Sequence, residues 1–217
     1  MRSRFERQLE QLHQEMIQMG HMIEQAIEMA MQALVNKDVE VAKTAMDFDE
    51  EVNHQEKIIE NLCFQLLSLQ QPVAKDLRTV SAALKMVTDM ERIGDQAQDI
   101  SELSIQLSKS TCMKTPLQIE KMAKESTEMV ILSLEAFVEG DRLKAEEIIG
   151  RDDRVDQLFL EVKTLVIALI RENNEQGELA ADYLMVAKYF ERIADHATNI
   201  AEWVIYSITG SKEDLGD

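Results

Sequence analysis

The sequence predicts an all-α protein built as two tandem three-helix bundles, six long antiparallel helices arising from an internal duplication. Three observations carry this. Glycine (7), proline (2) and aromatic residues (5%) are scarce in a chain of 217 residues rich in Leu, Ile, Met, Ala, Glu and Gln, side chains that lose little rotamer freedom in a helix. Phe5, Leu9, Leu12, Met16, Met19, Ile23, Ala26 and Ala30 step by alternating fours and threes, a heptad-type seam. The run Glu91-Arg92-Ile93-Gly94-Asp95 returns 100 residues later as Glu191-Arg192-Ile193-Ala194-Asp195.

The duplication reaches upstream as well. Ala33, Val35, Asp38, Ala42, Asp49 and Val52 recur as Ala136, Val138, Asp141, Ala145, Asp152 and Val155, at an offset of 103. Two repeats result, residues 1–110 and 115–217. Within them the pattern predicts helices near 4–35, 38–70 and 73–107, then near 117–138, 141–172 and 178–209. Asn36-Lys37-Asp38 breaks the first seam, and Asp38 and Asp141 are suited to cap the helices that follow. Pro72 marks a hairpin turn, Asn173-Asn174-Glu175-Gln176-Gly177 the matching one, and the polar stretch from Ser108 to Pro116 the linker between repeats. Short connections make sequential helices antiparallel.

Net charge is −18, from 41 acids against 23 bases. Such a surface repels nucleic-acid phosphates and attracts cations and basic protein patches. No apolar stretch approaches the ~20 residues that cross a bilayer, and the polar amphipathic N-terminal run predicts neither a signal peptide nor membrane insertion. Two cysteines, Cys63 and Cys112, are too few for a disulfide framework, so a reducing cytoplasm is expected.

The repeated motif carries the chemistry. At 100° per residue, Glu91, Asp95, Asp99 and Glu102 fall within about 80° of one another, opposite Met90, Ile93, Ala97 and Ile100. Glu191, Asp195, Asn199 and Glu202 repeat the stripe. An outward charged face is what any amphipathic helix presents, but carboxylates stacked at i, i+4 and i+8 repel. Both copies keep that penalty with no basic partner at i+4. Asp49 lies 23 residues before Pro72 and Asp95 lies 23 after it, so a hairpin brings them level. Asp152 and Asp195, 22 before and 21 after residue 174, are level in the same way, with Asn53 and Asp156 one turn along. Each repeat thus offers an Asp on one helix facing Glu and Asp on the next. That is a set of hard oxygen donors suited to magnesium, manganese, calcium or iron. Asn199 is a weaker donor than Asp99, which makes the second copy the weaker one.

Other patterns carry less. Glu10-x-x-His13 and Glu51-x-x-His54 have the spacing of di-iron bundles, but folding the first two helices about residue 36 leaves them five or six residues out of level. His21 and His196 read as packing or solvated residues. Arg92 and Arg192 read as partners for acids on neighbouring helices. The thirteen methionines and Cys63 read as core. No glycine-rich phosphate loop, Ser/His/Asp order or CxxC is present. A metal-dependent hydrolase using one carboxylate cluster to activate water is the alternative function.

The tandem ERIGD-type motif, the segment Gln70-Gln71-Pro72-Val73-Ala74-Lys75-Asp76-Leu77-Arg78, and the D-x-x-x-[ND] elements Asp49/Asn53 and Asp152/Asp156 resemble the PhoU family over essentially the whole chain. The resemblance implies a negative regulator of the phosphate-starvation response and phosphate uptake rather than an enzyme. Such a protein links the ATPase subunit of the phosphate-specific ABC transporter to a sensor histidine kinase. It also implies iron or zinc on the E-x-x-x-D motifs, here Glu91, Asp95 and Asp99, then Glu191, Asp195 and Asn199. A homodimer bridged at its acidic faces is a further expectation.

Overall fold

Leu12, Met16, Met19 and Ile23, four steps of the first seam, are completely shielded from solvent. Each is worth about 1.5–3 kcal/mol of apolar burial, and that stripe holds the first helix against its neighbours. In this computed structural model, which describes residues 2–69, 73–110 and 114–211, the helices are α1 Arg2–Asn36, α2 Val39–Leu69, α3 Ala74–Ser108, α4 Leu117–Glu139, α5 Arg142–Glu172 and α6 Gly177–Thr209. A short 3-10 turn, Asn174–Gln176, joins α5 to α6. All six helices fall within a residue or two of the sequence expectation. The expected turn at Pro72 and the middle of the linker, Thr111 to Met113, lie outside the described residues.

The caps are those the sequence predicts. Asp38 accepts from the backbone N–H groups of Glu40 and Val41, and Asp141 accepts from that of Lys144, supplying partners to orphan donors of the first turn. The breaks before them share a backbone device. Lys37 has φ 56° and Gly140 has φ 66°, equivalent positions at the offset of 103. Both take the left-handed conformation that ends a helix. The first repeat uses a lysine there, and its ammonium donates to the carbonyl of Ser110 across the linker.

Helices α1, α2 and α3 pack as one bundle and α4, α5 and α6 as another. The two bundles join through α3 against α6 and, more narrowly, through α1 against α4. Helices α2 and α5 therefore lie on the flanks. Met86, Met90 and Ile93 from α3, and Tyr183 and Phe190 from α6, are the largest buried side chains of the central helices. Helix α4 packs directly on α1 at Gly20, where a Cβ would collide with Leu134 Cδ1. No helix among the described residues is long and apolar enough to cross a membrane.

Candidate metal centre

The glycine of the first motif sets the site. A Cβ added to Gly94 would stand 3.0 Å from Val52 Cγ1 and 3.4 Å from Asp49 Oδ1. Helices α2 and α3 are therefore packed tightly at the centre of the E-x-x-x-D turn, and Asp49 is laid against it. The second repeat has Ala194 at the equivalent position, completely buried.

Asp49 is 9% exposed. Its Oδ2 accepts from Asn53 Nδ2 at 2.7 Å, while its Oδ1 is buried with no hydrogen-bond partner. Burial raises its carboxyl above the usual range, and the neighbouring charge of Asp95 adds to the shift. Glu91 is likewise raised by burial, then by Asp95, and more weakly by Asp49. The level pairing of Asp49 with Asp95 that hairpin arithmetic predicts is thus present. Glu56, one turn beyond Asn53, also belongs to this wall, its carboxyl raised by burial and then by Glu91.

The second repeat repeats the cluster with one carboxylate moved. Asp152 is pushed up to about 6 by burial, then by Asp195, Asp156 and Glu191. Asp195 is raised by burial and by Glu191. Asp152 Oδ1, like its counterpart, is buried without a partner. Where α2 has neutral Asn53, α5 has Asp156. Counting Glu56, each cluster holds four carboxylates: Asp49, Glu56, Glu91 and Asp95 in the first, and Asp152, Asp156, Glu191 and Asp195 in the second, where Phe159 stands in place of Glu56.

Glu91 and Glu191 are turned from the core yet largely covered, whereas Asp156 and Asp195 stand exposed. The side chain of Glu91 is 20% exposed and that of Glu191 14%, because the flanking helix covers one side of each stripe. The repulsion along the stripe is also relieved differently from the sequence expectation. Arg92 bonds within its own helix, 3.4 Å from Glu91 Oε2 and 3.0 Å from Asp95 Oδ2, and not to a neighbouring helix. Lys188 pairs with Glu191 in the same i,i+3 manner. Basic partners thus stand at i−3, a position that a search at i+4 misses.

Asp99 and Asn199 lie at the seam between the bundles. Asn199 Nδ2 donates to Asp89 Oδ1 at 3.3 Å. Asp99 accepts from the Tyr189 hydroxyl and feels Arg192, contacts that oppose the rise caused by its burial and by Asp95 and Glu102. Asp89 and Tyr189 are equivalent positions, as are Asp99 and Asn199, so the seam is a reciprocal pair of contacts about a local two-fold. Sequence reasoning passed over Asp89 and Tyr189 because the two copies differ in residue type. Their shared offset of 100 is the signal that could have found them.

Among the described residues, no group of three or more His, Cys, Asp or Glu is placed so that it could hold a metal ion. The chemistry of the donors, all carboxylate oxygens, is nonetheless that which a hard cation takes. Two buried carboxylate oxygens lack partners, each level with two further carboxylates, and the carboxyl pKa values are raised as expected for unneutralised charge. The E-x-x-H pairs are not assembled. His13 packs edge-on against Phe137, centroids 5.4 Å apart, with burial lowering its pKa, and His54 is exposed.

Fold and site together define a duplicated helical-bundle protein whose every repeat sets a carboxylate cluster between its second and third helices. The family model described as PhoU domain matches the chain twice, over residues 16–104 and 119–204. Three relatives named "Phosphate-specific transport system accessory protein PhoU homolog" match nearly end to end. That of Clostridium acetobutylicum is 37% identical over 98% of both chains. That of Synechocystis sp. is 35% identical over 98% of this chain and 94% of its own. That of Streptococcus pneumoniae is 31% identical over 99% and 100%. The chain belongs to the PhoU family. Two solved structures share its fold at a TM-score of 0.89 and 29% identity. PhoU from Pseudomonas aeruginosa aligns over 95% of this chain and 100% of its own. The phosphate transport system regulatory protein PhoU from Streptococcus pneumoniae aligns over 98% and 99%.

Proposed function

We propose that this protein is an accessory, negative regulatory protein of a phosphate-specific transport system. It acts in the cytoplasm as a non-enzymatic adaptor, a homodimer bridged at its acidic faces, between the transporter's ATPase subunit and a sensor histidine kinase. The observation that carries this reading is end-to-end likeness, in both repeats, to relatives named as accessory proteins of that system. The acidic surface, with net charge −18, supports docking to basic protein patches.

The repeats, residues 1–110 and 115–217, would each hold one cation. Asp49, Glu91 and Asp95 are the ligands in the first and Asp152, Asp156, Glu191 and Asp195 in the second. Asp99 and Asn199 border the clusters from the seam. Iron or zinc follows from family resemblance, and magnesium, manganese or calcium suits the all-oxygen set equally. A bound cation would supply positive charge that neutralises the packed carboxylates and holds α2 to α3 and α5 to α6. The test is a pull-down of this chain with the transporter ATPase and with the kinase, with and without added metal. Capture of both partners is expected, and failure to retain either would sink the adaptor reading. Equal capture by metal-stripped protein would separate docking from the metal.

A further inference from the structure

In the first repeat Thr88 stands at the position of Lys188, and Glu56 at that of Phe159. The two exchanges meet in space. The Lys188 ammonium lies over the Phe159 ring, 5.6 Å from its centroid, and donates to Glu191 Oε2. A cation so placed is attracted by the ring's quadrupole. Its charge also works against the rise of the Asp195 carboxyl that burial and Glu191 cause. Arg192, the counterpart of Arg92, forms no ion pair with Glu191 or Asp195 among the described residues, and its charge acts on Asp99 at the seam. Lys188 thus takes the part in the second cluster that Arg92 takes in the first.

We propose that Lys188 is a tethered competitor at the second cluster, which holds Glu191 against monovalent cations and gives it up to a divalent one. The inference rests on the metal reading above and names the residue that sets the selectivity of one site. An ammonium donates three hydrogen bonds and cannot itself ligate a metal. Sodium or potassium offers the acids the same single charge from dilute solution, whereas Lys188, three residues from Glu191 on the same helix, is present at high effective concentration. A divalent ion brings twice the charge, and repulsion between the two cations drives the ammonium off Glu191. The Phe159 ring keeps that ammonium beside the cluster, at a position where the first repeat has a further carboxylate. Arg92 opposes the first cluster in a similar way, so the rank of the two clusters is left to their acids.

The probe is manganese(II), its free concentration read by electron paramagnetic resonance, on the full chain with the first cluster silenced by Asp49→Asn and Asp95→Asn. In that background Lys188→Met is expected to bind manganese about five-fold tighter, because one competing charge is gone, and Lys188→Arg to bind as the background does. Replacing tetramethylammonium chloride by potassium chloride at constant ionic strength should weaken manganese binding in Lys188→Met and leave the background unchanged. Lys75→Met removes a positive charge exposed at the start of α3 and should change affinity less than two-fold. In chelator Lys188→Met should lower Tm, and manganese should raise its Tm by more than it raises that of the background. Circular dichroism confirms that each variant is folded. Equal affinity in Lys188→Met and the background, the same gain in Lys75→Met, or a potassium effect of the same size in both overturns the proposal while the metal reading stands. A lower Tm with no gain in affinity does so too, and leaves Lys188 a structural partner of Glu191. If neither the variants nor the wild type bind manganese, the metal reading fails and takes this inference with it.

Discussion

His196 Nδ1 on α6 stands 2.9 Å from Asp89 Oδ1 on α3, both side chains less than a quarter exposed. Asn199 donates to the same oxygen. This contact fastens one repeat to the other beside both carboxylate clusters. Asp89→Ala is expected to cost about 1–2 kcal/mol, because hydrogen bonds to a charged, partly buried acceptor are lost together. Thermal denaturation should show Tm falling by about 3–6 °C. An unchanged Tm would mean that the seam is held by its apolar residues alone.

The raised carboxyl of Asp152 makes stability depend on pH. Its folded value, about 6, lies above the ordinary 3.8, so the folded state binds the proton more tightly than the unfolded chain. The stabilisation is fully present below pH 3.8 and is lost as pH rises through 6. Asp152→Asn should therefore raise the stability of metal-free protein at pH 8 by about 1–2 kcal/mol, with solvent screening allowed for. The gain should fade by pH 4. Denaturation in chelator across that range reads it, and a gain that persisted at pH 4 would assign the effect to packing.

The two clusters should differ in the order opposite to that suggested by Asn199. That amide is engaged by Asp89, whereas the fourth acid of the second cluster, Asp156, acts directly on Asp152 and Asp195, and that of the first, Glu56, acts on Glu91 at the cluster's edge. On titration with a chelator, the first cation released should come from the first repeat. Asp49→Asn with Asp95→Asn should leave the more tightly held cation in place, and Asp152→Asn with Asp195→Asn should remove it. Metal analysis of the dialysed variants decides between them.

Gly140 sits at φ 66° and no atom lies near the position of an added Cβ. Gly140→Ala should therefore cost about 1 kcal/mol from backbone strain alone. Urea denaturation should show a lower midpoint with an unchanged slope.

Much of this fold was legible because its rules are local. The steps from Phe5 to Ala30 fix a buried face, and Asp38 and Asp141 announce the helix starts. The duplication set the hairpins level, which brought Asp49 to Asp95 on arithmetic alone. Packing between bundles was not legible. Periodicity says which face of α3 is buried but not that α6 covers its edge, so Asp89, Tyr189 and the role of Asn199 lay outside its reach. Arg92 turning onto its own helix was missed because the choice among rotamers depends on what α2 leaves open.

His196 also bears on both acid groups at once. Its charge acts on Glu91 in one repeat and on Asp195 in the other, so the clusters share an electrostatic neighbour. Free energies of binding linked through such a group are reciprocal: whatever filling one cluster does to the affinity of the other, filling the other does in return. Gene duplication here yielded more than two copies of a ligand set. If each cluster takes the cation proposed for it, folding the copies back to back makes one coupled equilibrium of two, with a response to cation concentration that neither repeat could have alone.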